Sequence, residues 1–195
     1  MRLPSPPRIV VVSREDKEAK LKDFIAQALA ARRAEPVQAF GEIFTLIARA
    51  PDSPAAQAVL AMAPEIAAAN IAIRVVLFET EPMSEDTVQA SLLDVTAIDM
   101  RMMADQRFAA AHEQLSLGRD RVWIGDCMRR DPIKRDAFEM YHDAHAPAAA
   151  HADASFLKMW DRSVPLNRVM PSAVSANVIL AAQPATGPDG AATRS

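Results

Sequence analysis

The stretch from 42 to 79 constrains the fold more than any other part of the chain. Residues 42–48, EIFTLIA, read as a strand. Pro51-Asp52-Ser53-Pro54 supplies a turn and then a capped helix with a proline in its first turn. That Ala-rich helix is expected to run to about Ala69, with a kink or break at Pro64. Asn70 stands where a left-handed residue commonly closes a helix. Residues 71–79, IAIRVVLFE, follow as the most strongly patterned strand in the sequence. Strand, helix and strand joined this tightly imply a right-handed crossover between neighbouring parallel strands, with helices lying over the sheet. The class is α/β.

Other elements build outward from that unit. Residues 9–12 are a β-branched run that reads as a strand buried on both faces. From 15 to 33 Leu21, Phe24, Ile25, Ala28 and Leu29 recur at helical spacing, with acids early and Arg32-Arg33 at the end, matching the helix dipole. Residues 86–94 read as a short helix, 98–103 as a strand and 107–111 as a lead into a hairpin. In that hairpin HEQLSLG pairs with RVWIGD about a Gly118-Arg119-Asp120 turn. Beyond Pro132 the spacing predicts helices over 133–145 and 148–162, separated by Pro147, with Phe138, Met140, Tyr141, Phe156, Met159 and Trp160 as core contacts. Residues 174–181 read as one further strand, and the polar Pro/Gly-rich end predicts disorder from about 183.

Composition sets limits on function. At 195 residues, with half of them apolar, one continuous core is expected without disulfides or metal staples. The formal charge of −3 argues against bulk attraction to nucleic acid or anionic membrane. No apolar run approaches the roughly 18 residues needed to span a bilayer, and the first 13 residues lack the apolar core of a signal peptide. A single cysteine, Cys127, excludes an intramolecular disulfide and fits a reducing compartment, the cytoplasm by default.

The chemistry-bearing residues concentrate in 112–131, HEQLSLGRDRVWIGDCMRRD. A histidine opens an alternating strand, and the second strand ends in Trp-Ile-Gly-Asp. With the strand, Pro/Asp turn, Ala-rich helix and strand before it, and ASFLKMWDRSVPL (154–166) after it, the order resembles one phospholipase D-like half-domain. That superfamily carries His-x-Lys-x(4)-Asp, then Gly-Ser-x-Asn, and often closes on a Phe-x(3)-Trp helix before Pro-Leu. The likeness covers roughly residues 40–166 and rests on order rather than on any one motif.

The resemblance implies that His112 is the residue that attacks phosphorus or protonates the leaving group. Gln114 stands where a phosphate-binding lysine belongs, Gly118-Arg119-Asp120 lies near the orienting aspartate, and Asp120 could replace it only through a shift of register. Gly125 matches the family glycine, Asp126 replaces its serine, and Met128 occupies the asparagine position. A phosphodiester gathers negative charge at the transition state, so a lost cation and an added carboxylate work against turnover. Arg129 and Arg130 offer guanidinium forks that suit phosphate. Members with one such half-site pair two of them across a dimer axis.

Plainer readings stand beside these. His112 also suits a hydrogen-bonded structural histidine, Glu113 a solvated neighbour, and Cys127 a small buried residue rather than a nucleophile. His142 and His145, three apart on the expected helix, read as a solvated polar face rather than a metal site. The expectation is therefore an α/β domain over 9–166, a phospholipase D-like mixed sheet with helices on both faces, preceded by a flexible lead (1–8) and followed by an extension (167–195). Its function is read as a catalytically degenerate, cofactor-free binding or scaffold module for an anionic, phosphate-containing ligand or a protein partner, acting as a homodimer. A homodimeric phosphodiesterase with His112 as nucleophile is the alternative. A third reading makes it a subunit of a larger assembly through IDMRMM or the Ala-rich helices.

Overall fold

A computed structural model describes residues 6–34, 42–78, 98–129 and 137–166. The elements expected over 86–94 and 174–181, the terminal segment from 183 and Arg130 lie outside the described residues, as does the side chain of Phe138. In chain order the elements are β1 (Arg8–Val12), α1 (Arg14–Ala34), β2 (Ile43–Ala48), α2 (Pro54–Ala61), α3 (Ala63–Ala68), β3 (Ala72–Leu77) and β4 (Ile98–Met102). A 3-10 helix (Gln106–Ala110), β5 (His112–Leu117), β6 (Val122–Cys127), β7 (Ala137–His142), α4 (Ala146–Trp160) and β8 (Val164–Pro165) complete them.

The strands form one eight-stranded mixed sheet in the order β1-β7-β6-β5-β2-β3-β4-β8. The expected crossover unit is present: β2 and β3 are parallel, with Phe44 opposite Ile73 and Ala48 opposite Leu77. β4 extends the parallel set and β5 runs antiparallel on the other flank of β2. The helix between β2 and β3 breaks at Met62, one residue before the turn that carries Pro64, because a proline ring and its missing N–H end the i to i−4 ladder. Asn70 takes φ +56° and closes the unit. Gly118 takes φ +82° in the β5–β6 turn, a value that suits glycine.

Helices cover both faces. On one, Leu21, Phe24, Ile25, Ala28 and Leu29 of α1 pack with α2, α3 and the sheet residues Phe44, Leu46, Ile73, Leu115, Trp123 and Tyr141. On the other, Phe156, Met159 and Trp160 of α4 meet Ile47, Val76, Phe78 and Met103. No helix among the described residues is long and apolar enough to cross a membrane.

Two elements differ from expectation. Among the described strands β1 lies at an edge and pairs only with β7, and Ile9 and Val11 are 61% and 54% exposed rather than covered on both faces. Residues 137–142 form a central strand instead of the second half of a helix. Tertiary pairing decides the second case: β7 pairs with β1 over residues 137–141 and with β6 over residues 140–142, and these ladders take the place of the bonds a helix would have made internally.

Candidate functional site

Because β5 runs antiparallel to β2, His112 at its start sits at the carboxyl ends of β2, β3 and β4. β2 separates the antiparallel β5 from the parallel β3. Crevices outside the carboxyl ends of strands, where the sheet changes direction, are the usual ligand positions in open α/β sheets.

His112 is exposed, and its Nδ1 lies 2.8 Å from the Gly125 carbonyl oxygen. A carbonyl only accepts, so Nδ1 donates and the Nε2 lone pair is left for chemistry or binding. The tautomer is fixed by backbone, where the family pattern has a carboxylate that this sequence lacks without a shift of register. A bulge explains the reach. Gln114 pairs with Ile124 but His112 pairs with Cys127, so Gly125 and Asp126 together oppose Glu113. Gly125 is required there, because a Cβ would come within 2.5 Å of the Trp123 ring. Asp126 is half-buried beside it. Cys127, the cross-strand partner of His112, is half-buried and donates its S–H toward the Ala110 carbonyl at 3.3 Å.

Gln114 is buried, and its Nε2 donates to the Ala152 carbonyl of α4 at 2.8 Å. Ser116, two residues on along the same face, donates to Asp153 at 2.9 Å. The residue at the lysine position thus holds the covering helix. Asp120 is exposed in the turn at the far end of the hairpin, roughly 17 Å of strand from His112 at the usual rise per residue. It does not orient the imidazole; its backbone carbonyl accepts from the His145 amide at 2.7 Å. Arg129 is exposed just beyond Cys127, next to buried Met128.

Glu113 is not a solvated neighbour. It is buried, with its carboxylate 3.1 Å from Lys17 Nζ of α1, and it accepts from the Arg49 amide at the end of β2 at 3.2 Å. Lys17 also lies 3.3 Å from Glu139, which receives Trp123 Nε1 at 3.0 Å and the Tyr141 hydroxyl at 2.9 Å. Burial works against the Lys17 ammonium, but the two carboxylates outweigh it and raise its pKa above the ordinary 10.5. Burial, and then Glu139, push the Tyr141 hydroxyl up. The sequence signal for Lys17 was its place four residues before Leu21, on the buried stripe of α1.

Sequence reasoning also missed Asp105, Arg107 and Arg162. Arg107 pairs with Asp105 at 2.7 Å, and hydrogen bonds from Arg107 hold that carboxyl down at about 2. Arg162 lies 5.5 Å over the Phe108 ring. All three belong to the carboxyl edge, since β8 after Arg162 pairs with the end of β4. His142 and His145 share no helical face: His142 is buried at the end of β7, and His145 caps α4. Among the described residues no three His, Cys, Asp or Glu side chains group as metal ligands.

No family model matches the sequence, and no curated protein matches it. Solved structures do match. The archaeal chromatin protein TrmBL2, whose structure shows a novel mode of DNA binding, superposes with a TM-score of 0.56 at 8% identity, over 82% of this chain and 55% of that one. NucT from Helicobacter pylori gives 0.54 at 11% identity, over 82% of this chain and 98% of its own. Nuc from Salmonella typhimurium, a phospholipase D family member, gives 0.51 at 12% identity with the same coverages. The chain has a phospholipase D-like fold. The first of these similarities corrects one expectation: a DNA-binding chromatin protein shares the architecture, so an overall charge of −3 does not set nucleic acid aside. Net charge sums the whole surface, whereas binding follows the local potential of one face.

Proposed function

We propose that this chain is a binding module that engages a phosphate-bearing ligand, a nucleic-acid backbone included, at the His112 edge without turning it over. The observation that carries this reading is Gln114. A phosphoryl-transfer site needs a cation fixed where negative charge builds up; here the amide at that position is buried and committed to Ala152. A carboxylate at Asp126 adds charge of the wrong sign for catalysis. Arg129, with Arg107 and Arg162 along the same edge, and Arg130 next to Arg129 in sequence supply guanidinium groups suited to phosphate oxygens. The DNA-binding neighbour makes duplex DNA the first ligand to test.

In this reading residues 9–166 form the ligand-binding domain and 167–195 an extension. The lone cysteine fits the cytoplasm. A two-fold pairing of copies would present two His112 edges to one ligand.

One observation favours a second reading, a homodimeric phosphodiesterase. With His112 Nδ1 donating to the Gly125 carbonyl, Nε2 is the nitrogen that carries the lone pair of the neutral ring, as a nucleophile requires. The two readings separate in one pair of assays on the full chain. Labelled duplex DNA should bind with a log–log salt slope of roughly −2 to −3, the value for two or three neutralised phosphates, and Arg129→Ala should weaken it several-fold. An aryl phosphodiester should not be hydrolysed. Hydrolysis abolished by His112→Ala would replace the binding reading with the enzymatic one, and no affinity for DNA or for a simple phosphodiester would remove both.

A further inference from the structure

At the opposite end of the sheet from His112, the chain leaves β7 and enters α4 through His142, Asp143, Ala144 and His145. Ala144 takes φ +54°, a conformation that costs a non-glycine residue energy and persists only where its surroundings enforce it. What enforces it is the cap. His145 Nδ1 accepts the Ala148 amide at 3.0 Å, an amide shared with the His145 carbonyl at 3.0 Å, and the His145 amide donates to the Asp120 carbonyl at 2.7 Å; a proton on Nδ1 would set N–H against N–H there. This cap works only with an unprotonated Nδ1, because an imidazolium nitrogen has no lone pair. Serine, threonine, aspartate and asparagine cap helices across the ordinary pH range; an imidazole does not.

The second histidine reinforces the dependence. His142 is 8% exposed, its Nδ1 has no hydrogen-bond partner, and its ring centroid lies 5.2 Å from that of His145. Two imidazolium ions that close would repel one another, and both would face the positive end of α4. The charged groups around the pair do not cancel this. Asp143 is already paired with Arg121 from the start of β6 at 3.4 Å. Asp120 meets His145 through its backbone, and Asp153, two turns along α4, is taken by Ser116. His151 on α4 is exposed.

We infer that the His142–His145 pair is a proton-operated latch: protonation uncaps α4 and loosens its first turns from the sheet. Burial, and then His145, hold the His142 pKa below its ordinary value. Neutral His142 therefore contributes stability that is fully present above that ordinary value and is lost as pH falls through the lowered one. The consequence reaches the sheet. α4 supplies the Ala152 carbonyl to Gln114 and buries Phe156, Met159 and Trp160, so a loosened α4 uncovers the face on which Gln114 lies.

The test follows the thermal midpoint of the full chain between about pH 7.5 and about pH 5.5, the range in which imidazole titrates. The wild type should lose on the order of 5 °C over that interval. His145→Asn with His142→Phe, which keeps a cap and removes both titrations, should be flat while retaining exposed His112 and His151. A flat wild type, or an equal loss in the double variant, overturns the latch. Should the double variant fail to fold, the wild-type Ala148 amide resonance decides: it must move across the same pH interval, and a stationary Ala148 signal overturns the proposal.

Discussion

Beneath α1, Lys17, Glu113, Glu139, Trp123 and Tyr141 are buried and linked by ion pairs and hydrogen bonds, whereas a few ångströms along the same strand His112 stands in solvent on one backbone carbonyl. Glu113 is adjacent to His112 in sequence yet belongs to the other region. The pleat sends successive side chains to opposite faces, and a bulge at this point lets the two environments meet without mixing. The difference concerns what each region can lose. A closed set of buried charges depends on every member, while an exposed edge can exchange residues and keep the fold. A phospholipase D-like fold with a buried glutamine, Gln114, two residues along the strand from an exposed histidine is what such a division permits.

The sharpest way to break this comparison is Lys17→Met. It leaves Glu113 and Glu139 facing each other without a cation, and should cost about 3–5 kcal/mol in urea unfolding. A cost below about 1 kcal/mol would mean the buried set is not closed. Since the Lys17 pKa is raised, its contribution is fully present below the ordinary 10.5 and is lost only as pH climbs past the raised value. Unfolding curves at pH 7 and pH 9 should therefore agree as far as this bridge is concerned.

Gly125→Ala comes next, because the added methyl meets the fully buried Trp123 ring; about 1–3 kcal/mol is expected. It should also displace the His112 ring, visible as a changed imidazole nitrogen shift. Gln114→Leu removes one buried hydrogen bond to α4 at little change in volume and should cost about 1 kcal/mol, with DNA affinity unaltered. A large loss of affinity in that variant would move Gln114 from support into the ligand site. His112→Ala should change stability by less than about 0.5 kcal/mol and act on binding alone.

The parts of the fold governed by local rules were readable from residues. The α1 stripe, the Ser53 cap, the Asn70 closure and the β5–β6 hairpin each depend on neighbours close in sequence. β7 was not, because AFEMYH follows an alternating-charge run and puts Glu139 at a position that becomes completely buried. A glutamate there reads as a helix surface until Lys17, Trp123 and Tyr141 converge on it from α1, β6 and β7. The site divides in the same way. His112 and Gly125 were identifiable from their motif, while the burial of Gln114 and the separation of Asp120 depend on where α4 lands and how the hairpin closes. Arg107 and Arg162 are joined at the edge only through the pairing of β8 with β4.

The position of β1 has a consequence for synthesis. It is made before the other described strands, yet its sole partner among them is β7, which ends at His142. On the ribosome β1 must wait until β7 emerges, with Ile9 and Val11 on an open edge throughout, whereas the apolar stripe of α1 meets α2 and β2 much earlier. Such non-local closure is slow. A growing chain of this protein is thus most exposed to mispairing just before its final strands arrive, and its yield on expression should respond to translation rate and temperature more than its finished stability would suggest.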